Sequence, residues 1–415
     1  MLSKEEKQLR YFPIKILLSF LIITELLVWL GPIEYKINSL LLAPYLIILN
    51  FTLWVGYKKG IKSFTPTTYR ISSSKIKILL IAGLFLTIIS LINLWSSHGL
   101  TISLDTLINS LINPGEAYYS DADEVTQTNF LMLFLSPFQW AAIPLGIYFW
   151  PKLTHTYKRI VILTIIISII AWLGIGTRKG VFDIILVVGA CVCAANSKKF
   201  LQRSFRRKLS IIVAIFISVF LVYFIFSNLS RYGKGGFDDL SEIANINLKK
   251  SYDQILGLPL TVALGFITGY LCQGYYALAK GLEIGIIPPA IFGSSWFGIA
   301  LARKIGFDPT PDTYTKILES QGIDMSINWH TLYLWMANEY TFILVPFIMY
   351  MTGYLFAKTW CDSVSKKNPL AYPLMALMVM MVFYAFANNQ VFSFSFIPFI
   401  FWFLSYELLS KRQLN

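Results

Sequence analysis

Charged residues are scarce in this sequence, and so are the residue types that usually hold metals or form disulfides. Only 14% of the 415 residues are Asp, Glu, Lys or Arg, whereas a soluble globular chain carries about 25%. There are three histidines, and the four cysteines (Cys191, Cys193, Cys272 and Cys361) stand in neither a CxxC pair nor a zinc spacing. The composition therefore argues against an ordinary soluble domain, and it predicts that the cysteines are packing residues.

Common catalytic and nucleotide-binding motifs are also missing. The chain contains no HExxH, no GxSxG and no GxxxxGK(S/T) phosphate loop. One acidic loop holds Asp121 and Asp123, a pair spaced as in metal-dependent glycosyl transfer, but such pairs are common in acidic loops. A solvated loop is favoured over a metal site here, so the sequence predicts neither a metal nor a cofactor.

Long apolar runs dominate the sequence instead, since 56% of its residues are hydrophobic. Many runs reach the roughly 20 residues that an α-helix needs to cross a bilayer. They are apolar on every side and lack the alternation of barrel strands, so they predict helices. We predict spans at residues 13–31, 38–57, 78–97, 129–150, 160–175, 180–196, 209–227, 338–358, 371–388 and 391–407.

Two weaker segments, 258–280 and 285–302, are interrupted by several glycines and by Pro288 and Pro289. They would cross the membrane, re-enter it or lie flat at its surface, so we predict about 10–12 transmembrane helices in all. The fold class is thus an all-α polytopic membrane protein with a single membrane domain. Its parts are the N-terminal helices (1–227), a long extracytoplasmic region (228–337) and a C-terminal three-span bundle (338–415).

The distribution of charge predicts the orientation of these spans. With the N-terminus inside, the predicted cytoplasmic segments hold most of the 35 lysine and arginine residues, as the positive-inside rule expects. The opposite loop, 98–128, has several acids and no Lys or Arg. Both termini are therefore predicted to be cytoplasmic, and the net charge of +13 needs no nucleic-acid partner. Residues 1–15 are basic and lack a small-residue cleavage site, so the first span is predicted to remain as an inner-membrane anchor.

Two short glycine-rich segments place cations on the predicted outer surface, where the positive-inside rule makes them unexpected. The first is the turn 174–180, which contains Arg178 and Lys179. We expect Thr177 to cap the following helix, whose N-terminus attracts anions, and the planar guanidinium of Arg178 suits phosphate. Lys179 is able to pair with Asp183, four residues on. The alternative is that Arg178 only reaches lipid headgroups.

The second segment, 230–236, carries Arg231 and Lys234 just beyond the outer end of the 209–227 span. Its glycines allow a ligand to approach the backbone closely, which favours a substrate-binding loop. Anchoring of this loop to headgroups is the alternative. Arg303 and Lys304 are weaker candidates for contacts with sugar or phosphate.

His330 is the third candidate, because it lies on the predicted outer surface at the start of an apolar helical run. At about 100° per residue it would share a face with Tyr333, whereas Glu339 would point to the opposite side. Histidine titrates near neutral pH and suits a base that activates a hydroxyl group. Aromatic residues such as Tyr333 and Tyr340 are suited to stacking on sugar faces. A packed interfacial histidine is the alternative interpretation.

Together, the 176–180 turn, Arg231 with its glycines, and the run from His330 to Tyr340 resemble bacterial O-antigen polymerases of the Wzy type and the related O-antigen ligases. The topology, with one long extracytoplasmic loop before the last three spans, is similar over the whole chain. Tyr340 departs from the ligase pattern, which usually has Gly after the glutamate. The resemblance implies a GT-C-like membrane glycosyltransferase that is metal-independent and inverting.

The resemblance also implies a substrate, namely a glycan carried on undecaprenyl diphosphate. A polymerase would transfer the growing chain to the next lipid-linked repeat unit at the periplasmic face of the bacterial inner membrane. Arg178 and Arg231 would hold the diphosphate, and His330 would activate or orient the acceptor. The remaining implied substrate contacts are Lys179, Lys234, Arg303, Tyr333, Glu339 and Tyr340. Membrane lipids, a chain-length regulator and a flippase are the implied partners. The alternatives are a ligase acting on the lipid A core, another lipid-linked sugar transferase, and a flippase or other transporter.

Overall fold

The computed structural model of the chain describes residues 3–112, 130–199, 202–232 and 247–412, and these ranges are mostly helical. In chain order, their helices are α1 (Lys4–Leu30), α2 (Ser39–Lys62), α3 (Ser73–Ser97), α4 (Leu104–Ile112), α5 (Phe130–Phe149), α6 (His155–Gly174), α7 (Lys179–Ala195), α8 (Arg203–Tyr232), α9 (Lys250–Leu256), α10 (Leu258–Ile284), α11 (Trp296–Lys304), α12 (Tyr314–Glu319), α13 (Leu332–Ser365), α14 (Ala371–Phe383), α15 (Gln390–Phe394) and α16 (Phe396–Leu409). Short 3-10 turns lie at Trp150–Lys152, Thr310–Asp312 and Tyr384–Phe386. Two antiparallel strand pairs join distant parts of the chain: β1 (Ile33–Glu34) with β3 (Asn247–Leu248), and β2 (Thr67–Thr68) with β4 (Lys411–Arg412).

Among the described residues, six helices are long and apolar enough to cross a bilayer: α1, α2, α3, α5 with the turn that follows it, α6 and α13. They make the chain an all-α polytopic membrane protein. Successive crossings bring the ends of α1, α3 and α6 to the same end of the bundle, which we call the Arg178 end. The predicted total of about 10–12 spans is larger than six, and the further spans stay a prediction.

The centre of the bundle is formed by α2 and α13, which lie side by side and run in the same direction. The ring of Tyr45, near the start of α2, packs against Phe342, and Gly56 further along α2 contacts Tyr350. A Cβ atom added at Gly56 would lie 1.9 Å from the carbonyl oxygen of Tyr350, so the two backbones touch. Small residues allow such close approach of membrane helices, which pack by van der Waals contact rather than by the hydrophobic effect.

The last two helices differ from the predicted spans 371–388 and 391–407. α14 ends at Phe383 and α16 begins only at Phe396, so each is shorter than the roughly 20 residues of a full crossing. Between them lies a stretch with several buried polar side chains, residues 388–395, which we call the polar segment. The side-chain N–H groups of Asn389 and Gln390 donate to acceptors inside the protein, which lipid would not provide.

The region that precedes α13 folds against the Arg178 end of the bundle. α10 is a continuous helix of 27 residues that packs along the end of α1, where the hydroxyl groups of Thr24 and Tyr275 are 3.0 Å apart. The second weak segment, 285–302, is different, because α11 has only 9 residues and irregular chain precedes it. Nine helical residues cover about 13 Å, less than half of a bilayer core, so this segment does not cross as a helix.

At the opposite end of the bundle, Asp362 joins parts of the chain that are far apart in sequence. Its carboxylate accepts hydrogen bonds from the backbone N–H and the hydroxyl of Thr67, at 3.0 and 2.5 Å, and from the hydroxyl of Tyr406, at 2.6 Å. Asn368 extends the network by donating to the hydroxyls of Thr67 and Ser410. The network ties the β2–β4 pair to the end of α13.

Candidate functional site

The turn between α6 and α7 is the first part of the candidate site. Gly176 has a φ of 66°, in the left-handed region that favours glycine. The N–H groups of Gly176 and Thr177 donate to the carbonyls of Leu173 and Trp172, and this pair of bonds closes α6 as a Schellman motif. The sequence Gly-Thr therefore ends one helix and lets the next begin almost immediately.

Two further glycines of this turn are needed because tryptophan rings fill the space beside them. A Cβ atom at Gly174 would lie 2.1 Å from Trp95, and one at Gly180 would lie 2.0 Å from Trp172. The hydroxyl of Ser110, on α4, donates to the carbonyl oxygen of Gly174 at 2.6 Å. Helices α3, α4 and α6 thus hold the turn in one conformation and fix the position of the two cations that follow it.

The start of α7 differs from the prediction, because its N-cap is Arg178 and not Thr177. Thr177 belongs to the Schellman motif, and its hydroxyl turns back to the carbonyl of Trp172 at 3.4 Å. Within the described part of the chain, no side chain caps the first N–H groups of α7. These groups keep their partial positive charge, which adds to the charges of Arg178 and Lys179.

The side chains of both cations lie against aromatic rings. The guanidinium carbon of Arg178 is 5.6 Å from the ring centres of Tyr223 and Phe224 on α8. Lys179 Nζ is 3.5 Å from the ring centre of Phe394, in the polar segment. Both residues are half-buried. Two positive charges therefore share a partly apolar environment, in which they attract an anion more strongly than they would in water.

Asp183 contacts the polar segment. The ion pairs among the described residues are Lys280–Glu283, Arg303–Asp308 and Lys316–Glu319. Lys179 and Asp183 therefore form no direct ion pair there, although the two charges attract each other electrostatically. Asp183 Oδ2 instead accepts a hydrogen bond from Gln390 Nε2 at 3.1 Å.

The polar segment, which contacts α7 through Gln390, also contacts the chain that precedes α11. Asn389 Nδ2 donates to the carbonyl oxygen of Ser294 at 2.6 Å. The backbone N–H of Trp296 contacts the hydroxyl oxygen of Ser393 at 3.4 Å. Two hydrogen bonds from adjacent residues, Gln390 and Asn389, therefore link the first turns of α7 to the loop that carries Ser294.

A cavity of about 280 Å³ opens beside Ser294. Its polar lining residues are Ser294, Ser295, Glu339 and Tyr340. The remaining lining residues are Gly298 and seven apolar residues: Phe292, Phe297, Leu301, Met336, Ile348, Phe392 and Phe396. The hydroxyl of Ser294 donates to Glu339 Oε2 at 2.5 Å, which orients the carboxylate. The lining residues include no Lys or Arg, so the cavity is acidic where the α7 turn is basic.

The backbone on both sides of this cavity has uncommon torsion angles. Phe292, which lines the cavity, has a φ of 66°. Thr341 has a φ of 59°, and it divides α13 into two helical pieces directly after Tyr340. Non-glycine residues in such conformations cost about 1–3 kcal/mol and cluster at functional sites. Asn338 supports the arrangement by donating from Nδ2 to the carbonyl oxygen of Gly293 at 3.0 Å.

His330 lies before the first turn of α13, and only 1% of its surface is exposed. Its Nδ1 bonds to the Asn328 carbonyl at 2.9 Å, and its ring centre is 6.3 Å from that of Trp335. Burial lowers the pKa of His330 to about 4, although the Asn328 carbonyl and the Asp324 carboxylate act in the opposite direction. His330 is therefore neutral at pH 7, and it is not among the residues that line the cavity.

Two predicted substrate contacts lie elsewhere. Tyr333 is fully buried in the core of the bundle. Arg303 is at the surface, where Nε pairs with Asp308 at 3.2 Å and Nη2 donates to the hydroxyl of Thr310 at 2.9 Å. Glu339 and Tyr340 are therefore the predicted contacts that the structure brings together at the cavity.

The other predicted residues are only partly described. Arg231 lies in the last turn of α8, two turns beyond the Phe224 ring that contacts Arg178, while Lys234 and the Asp121–Asp123 pair lie outside the described residues. Across the described ranges, no three His, Cys, Asp or Glu side chains gather into a set that could hold a metal ion. The four cysteines are free and largely buried, which agrees with their predicted packing role.

Sequence reasoning did not identify Ser294, Asn389 or Gln390. The two amide residues carried a signal, because they follow Asn388 in an otherwise apolar sequence, and polar groups in membrane segments need partners inside the protein. Ser294 carried no such signal, since its contact with Glu339 joins residues that are 45 positions apart.

Comparison of the chain with models of known families, with characterised proteins and with solved structures gives no match. The chain is a helical membrane protein in which the buried polar segment lies between a basic turn and an acidic cavity.

Proposed function

We propose that the chain is a membrane glycosyltransferase that polymerises oligosaccharide repeat units carried on undecaprenyl diphosphate. The observation that carries this proposal is the pair of cations at the start of α7, connected through the polar segment to a cavity that holds a carboxylate. A reaction that releases a diphosphate and activates a hydroxyl needs opposite charges in two neighbouring places. The basic turn and the acidic cavity supply them.

The basic turn suits the leaving group of this reaction. When the bond between the sugar and the diphosphate breaks, the diphosphate departs with the electron pair and gains negative charge. The guanidinium of Arg178 can bind two phosphate oxygens at once, and Lys179 and the first N–H groups of α7 add positive charge beside it. Groups fixed in advance around a developing charge lower the barrier, and removing one of them slows such reactions by about 10²–10³-fold.

The position of the turn within a membrane bundle suits a lipid-linked substrate. A polyprenyl chain would stay in the bilayer while its diphosphate reaches the end of the bundle. On the charge-based topology, the Arg178 end faces the periplasm of a bacterial inner membrane, where a flippase would deliver repeat units and a chain-length regulator would act. Arg231 lies on α8 beyond the ring that contacts Arg178, and in this proposal it contributes a third cation.

The buried position of His330 changes its part in the proposal. A base must approach the proton that it removes to within hydrogen-bonding distance. His330 is 1% exposed and packs beside Trp335, so we assign it to shaping the start of α13, which carries Glu339 one turn after Trp335.

A reconstituted assay tests the proposed function. Purified protein in liposomes would receive lipid-diphosphate-linked repeat units from its source strain, with EDTA and without any nucleotide. We expect a ladder of glycans with increasing numbers of repeat units. Arg178→Ala should slow its appearance by about 10²–10³-fold. Arg70→Ala is the matched control, because Arg70 is an exposed residue between α2 and α3, and it should leave the rate unchanged.

Other outcomes of the same assay would replace the proposal. Wild-type protein that moves the repeat unit across the liposome membrane without joining units would be a transporter. Protein that transfers glycan only when a lipid A core is supplied would be a ligase. Equal rates for the wild type and Arg178→Ala would remove the basic turn from the reaction.

A further inference from the structure

The cavity beside Ser294 has the chemistry of a sugar-binding site. Carbohydrate rings present hydroxyl groups at their edges and C–H groups on their faces, so a site for them combines a few hydrogen-bonding groups with aromatic walls. Here the carboxylate of Glu339 and the hydroxyl of Ser294 line the same cavity as the rings of Phe297, Phe392 and Phe396. Its volume, about 280 Å³, is at the lower limit of ligand pockets, which suits a single sugar ring better than an oligosaccharide.

We infer that this cavity binds the terminal sugar of the acceptor and that Glu339 is the base that takes the proton from its attacking hydroxyl. The inference rests on the proposed function, because it assigns the second half of that reaction. The cavity wall contains a carboxylate and no Lys or Arg, so it would repel the donor's diphosphate. The acceptor sugar is uncharged at the reacting hydroxyl, and a carboxylate oxygen accepts its hydrogen bond.

The chain holds Glu339 in place from two directions. Ser294 donates to one carboxylate oxygen, and Ser294 is itself fixed by the amide of Asn389. The adjacent Asn338 is completely buried and bonds to the carbonyl of Gly293. Catalytic groups need such support, because errors of even 1 Å in position slow a reaction considerably.

The strained backbone supplies a second and independent indication of function. Phe292, with its positive φ, lines the cavity, and Thr341, also with positive φ, ends the helical turn that carries Glu339. A β-branched residue is a rare choice for this conformation. Strain of this kind persists when the surrounding structure fixes it, and it is found at binding and catalytic sites.

The other acidic groups of the region are less suited to the role. Asp308 is occupied by Arg303 and Thr310, and the hydrogen bonds from Thr310, with a smaller effect of Arg303, lower its pKa and weaken it as a base. Asp312 is exposed in a 3-10 turn. Neither residue lines the cavity.

The proposed step transfers the donor glycan from its diphosphate to the acceptor hydroxyl. The acceptor oxygen forms a bond to the anomeric carbon of the donor sugar, and the bond from that carbon to the diphosphate oxygen breaks. The diphosphate leaves with the bonding electrons towards Arg178, while the hydroxyl proton passes to Glu339. The carboxylic acid then releases its proton to water, which restores the site for the next unit.

The test uses the reconstituted full-length protein with a repeat unit on a shortened lipid as the acceptor. Glu339→Gln keeps the shape of the side chain and an oxygen for Ser294, and it should lower the maximal elongation rate by about 10²–10⁴-fold. Glu319→Gln is the matched control, because it also removes a carboxylate from the region but lies outside the cavity, on α12, and it should elongate at the wild-type rate.

A second readout distinguishes a base from a structural carboxylate. Formate should restore part of the rate to Glu339→Ala, because a small carboxylate fits the space that the side chain leaves. It should have no effect on Glu319→Ala. A Glu339→Gln rate within about threefold of the wild type, or absence of rescue in folded Glu339→Ala, would overturn the assignment and leave the polymerase proposal standing.

Failure of the proposed function would be recognised in the wild-type protein. A wild type that forms no ladder would refute the polymerase function and, with it, the role of Glu339. Should the Glu339 variants fail to fold, Leu301→Trp provides the test, since Leu301 is a partly exposed residue of the cavity wall. The larger ring should raise the KM for the short acceptor at least about tenfold without altering kcat in proportion. An unchanged KM would contradict binding of the acceptor in this cavity.

Discussion

Replacing His330 with Asn gives a prediction whose size can be worked out from the structure. The asparagine amide can take over the hydrogen bond that Nδ1 makes to the Asn328 carbonyl, but it does not titrate. In the folded protein, burial lowers the pKa of His330 to about 4, whereas an exposed histidine has a pKa of about 6.5. Below about pH 6.5 the unfolded chain therefore binds a proton that the folded chain does not bind.

The linkage gives both the sign and the magnitude of the effect. The favourable contribution of the neutral imidazole is fully present above about pH 6.5 and is lost as the pH falls towards 4. With these two pKa values, the free energy of unfolding should fall by about 2 kcal/mol between pH 7.5 and pH 5.0, and by about 3 kcal/mol at the acidic limit. His330→Asn should remove this part of the acid sensitivity.

The assay is unfolding of detergent-solubilised protein with increasing denaturant, followed at several pH values. Other groups titrate too, so the quantity of interest is the difference between the wild type and the variant at each pH. His155→Asn serves as the control because His155 is exposed at the start of α6, so the same substitution is made there without altering a buried site. If the wild type and His330→Asn lose stability in parallel down to pH 5.0, the neutral buried imidazole described above is refuted.

Further predictions concern packing, the Asp362 network and the basic turn. Gly56→Ala should destabilise the protein by about 1–3 kcal/mol, because the added methyl would lie 1.9 Å from a carbonyl oxygen of α13. Gly189→Ala, where a Cβ atom meets nothing within 4 Å, should be neutral or stabilising by up to about 1 kcal/mol, and an equal loss in both variants would contradict the close packing. Asp362→Ala should lower the free energy of unfolding, measured with denaturant, by about 2–4 kcal/mol, because it leaves three hydrogen-bond donors without their acceptor. A decrease below about 0.5 kcal/mol would contradict a structural role of the network. Ser110→Ala removes the hydrogen bond to the Gly174 carbonyl that helps to position the turn before Arg178. It should lower the elongation rate several-fold and change the free energy of unfolding by less than about 1 kcal/mol. An unchanged rate would show that this hydrogen bond is not needed to position the turn.

Length and apolar composition were enough to predict the fold class and many helix positions. The first predicted span, 13–31, ends within one residue of α1, which begins earlier, at Lys4, because Ser3 and Glu6 form a capping box. The capping box is visible in the sequence, but the hydropathy of a span does not report how far a helix extends beyond the bilayer.

The same criterion failed where short helices meet inside the protein. The runs 371–388 and 391–407 have the hydropathy of two spans. In the structure, α14 and α16 are shorter than these runs, and the polar segment lies between them. Hydropathy sums the transfer of each residue into lipid, whereas the side-chain N–H groups of Asn389 and Gln390 donate to Ser294 and Asp183 inside the protein. Those partners become neighbours only once the chain has folded.

The candidate site was predictable in part. Arg178 and Lys179 stood out because cations on an outer surface are unusual, and the glycines around them proved to have separate roles in turn geometry and packing. His330 stood out because histidine is rare in the chain, but residue type carries no information on burial. The contact between Ser294 and Glu339 joins residues that are 45 positions apart, and α13 breaks soon after it at Thr341, in a conformation that no local propensity predicts for a threonine.

The most direct measurement of the central claim is the amount of free undecaprenyl diphosphate that appears when wild-type proteoliposomes meet lipid-linked repeat units. The account predicts one lipid diphosphate released for each glycosidic bond formed, with EDTA present, and a release that is about 10²–10³-fold slower in Arg178→Ala. Repeat units that remain intact on their lipid while crossing the bilayer would contradict the account and identify the chain as a transporter.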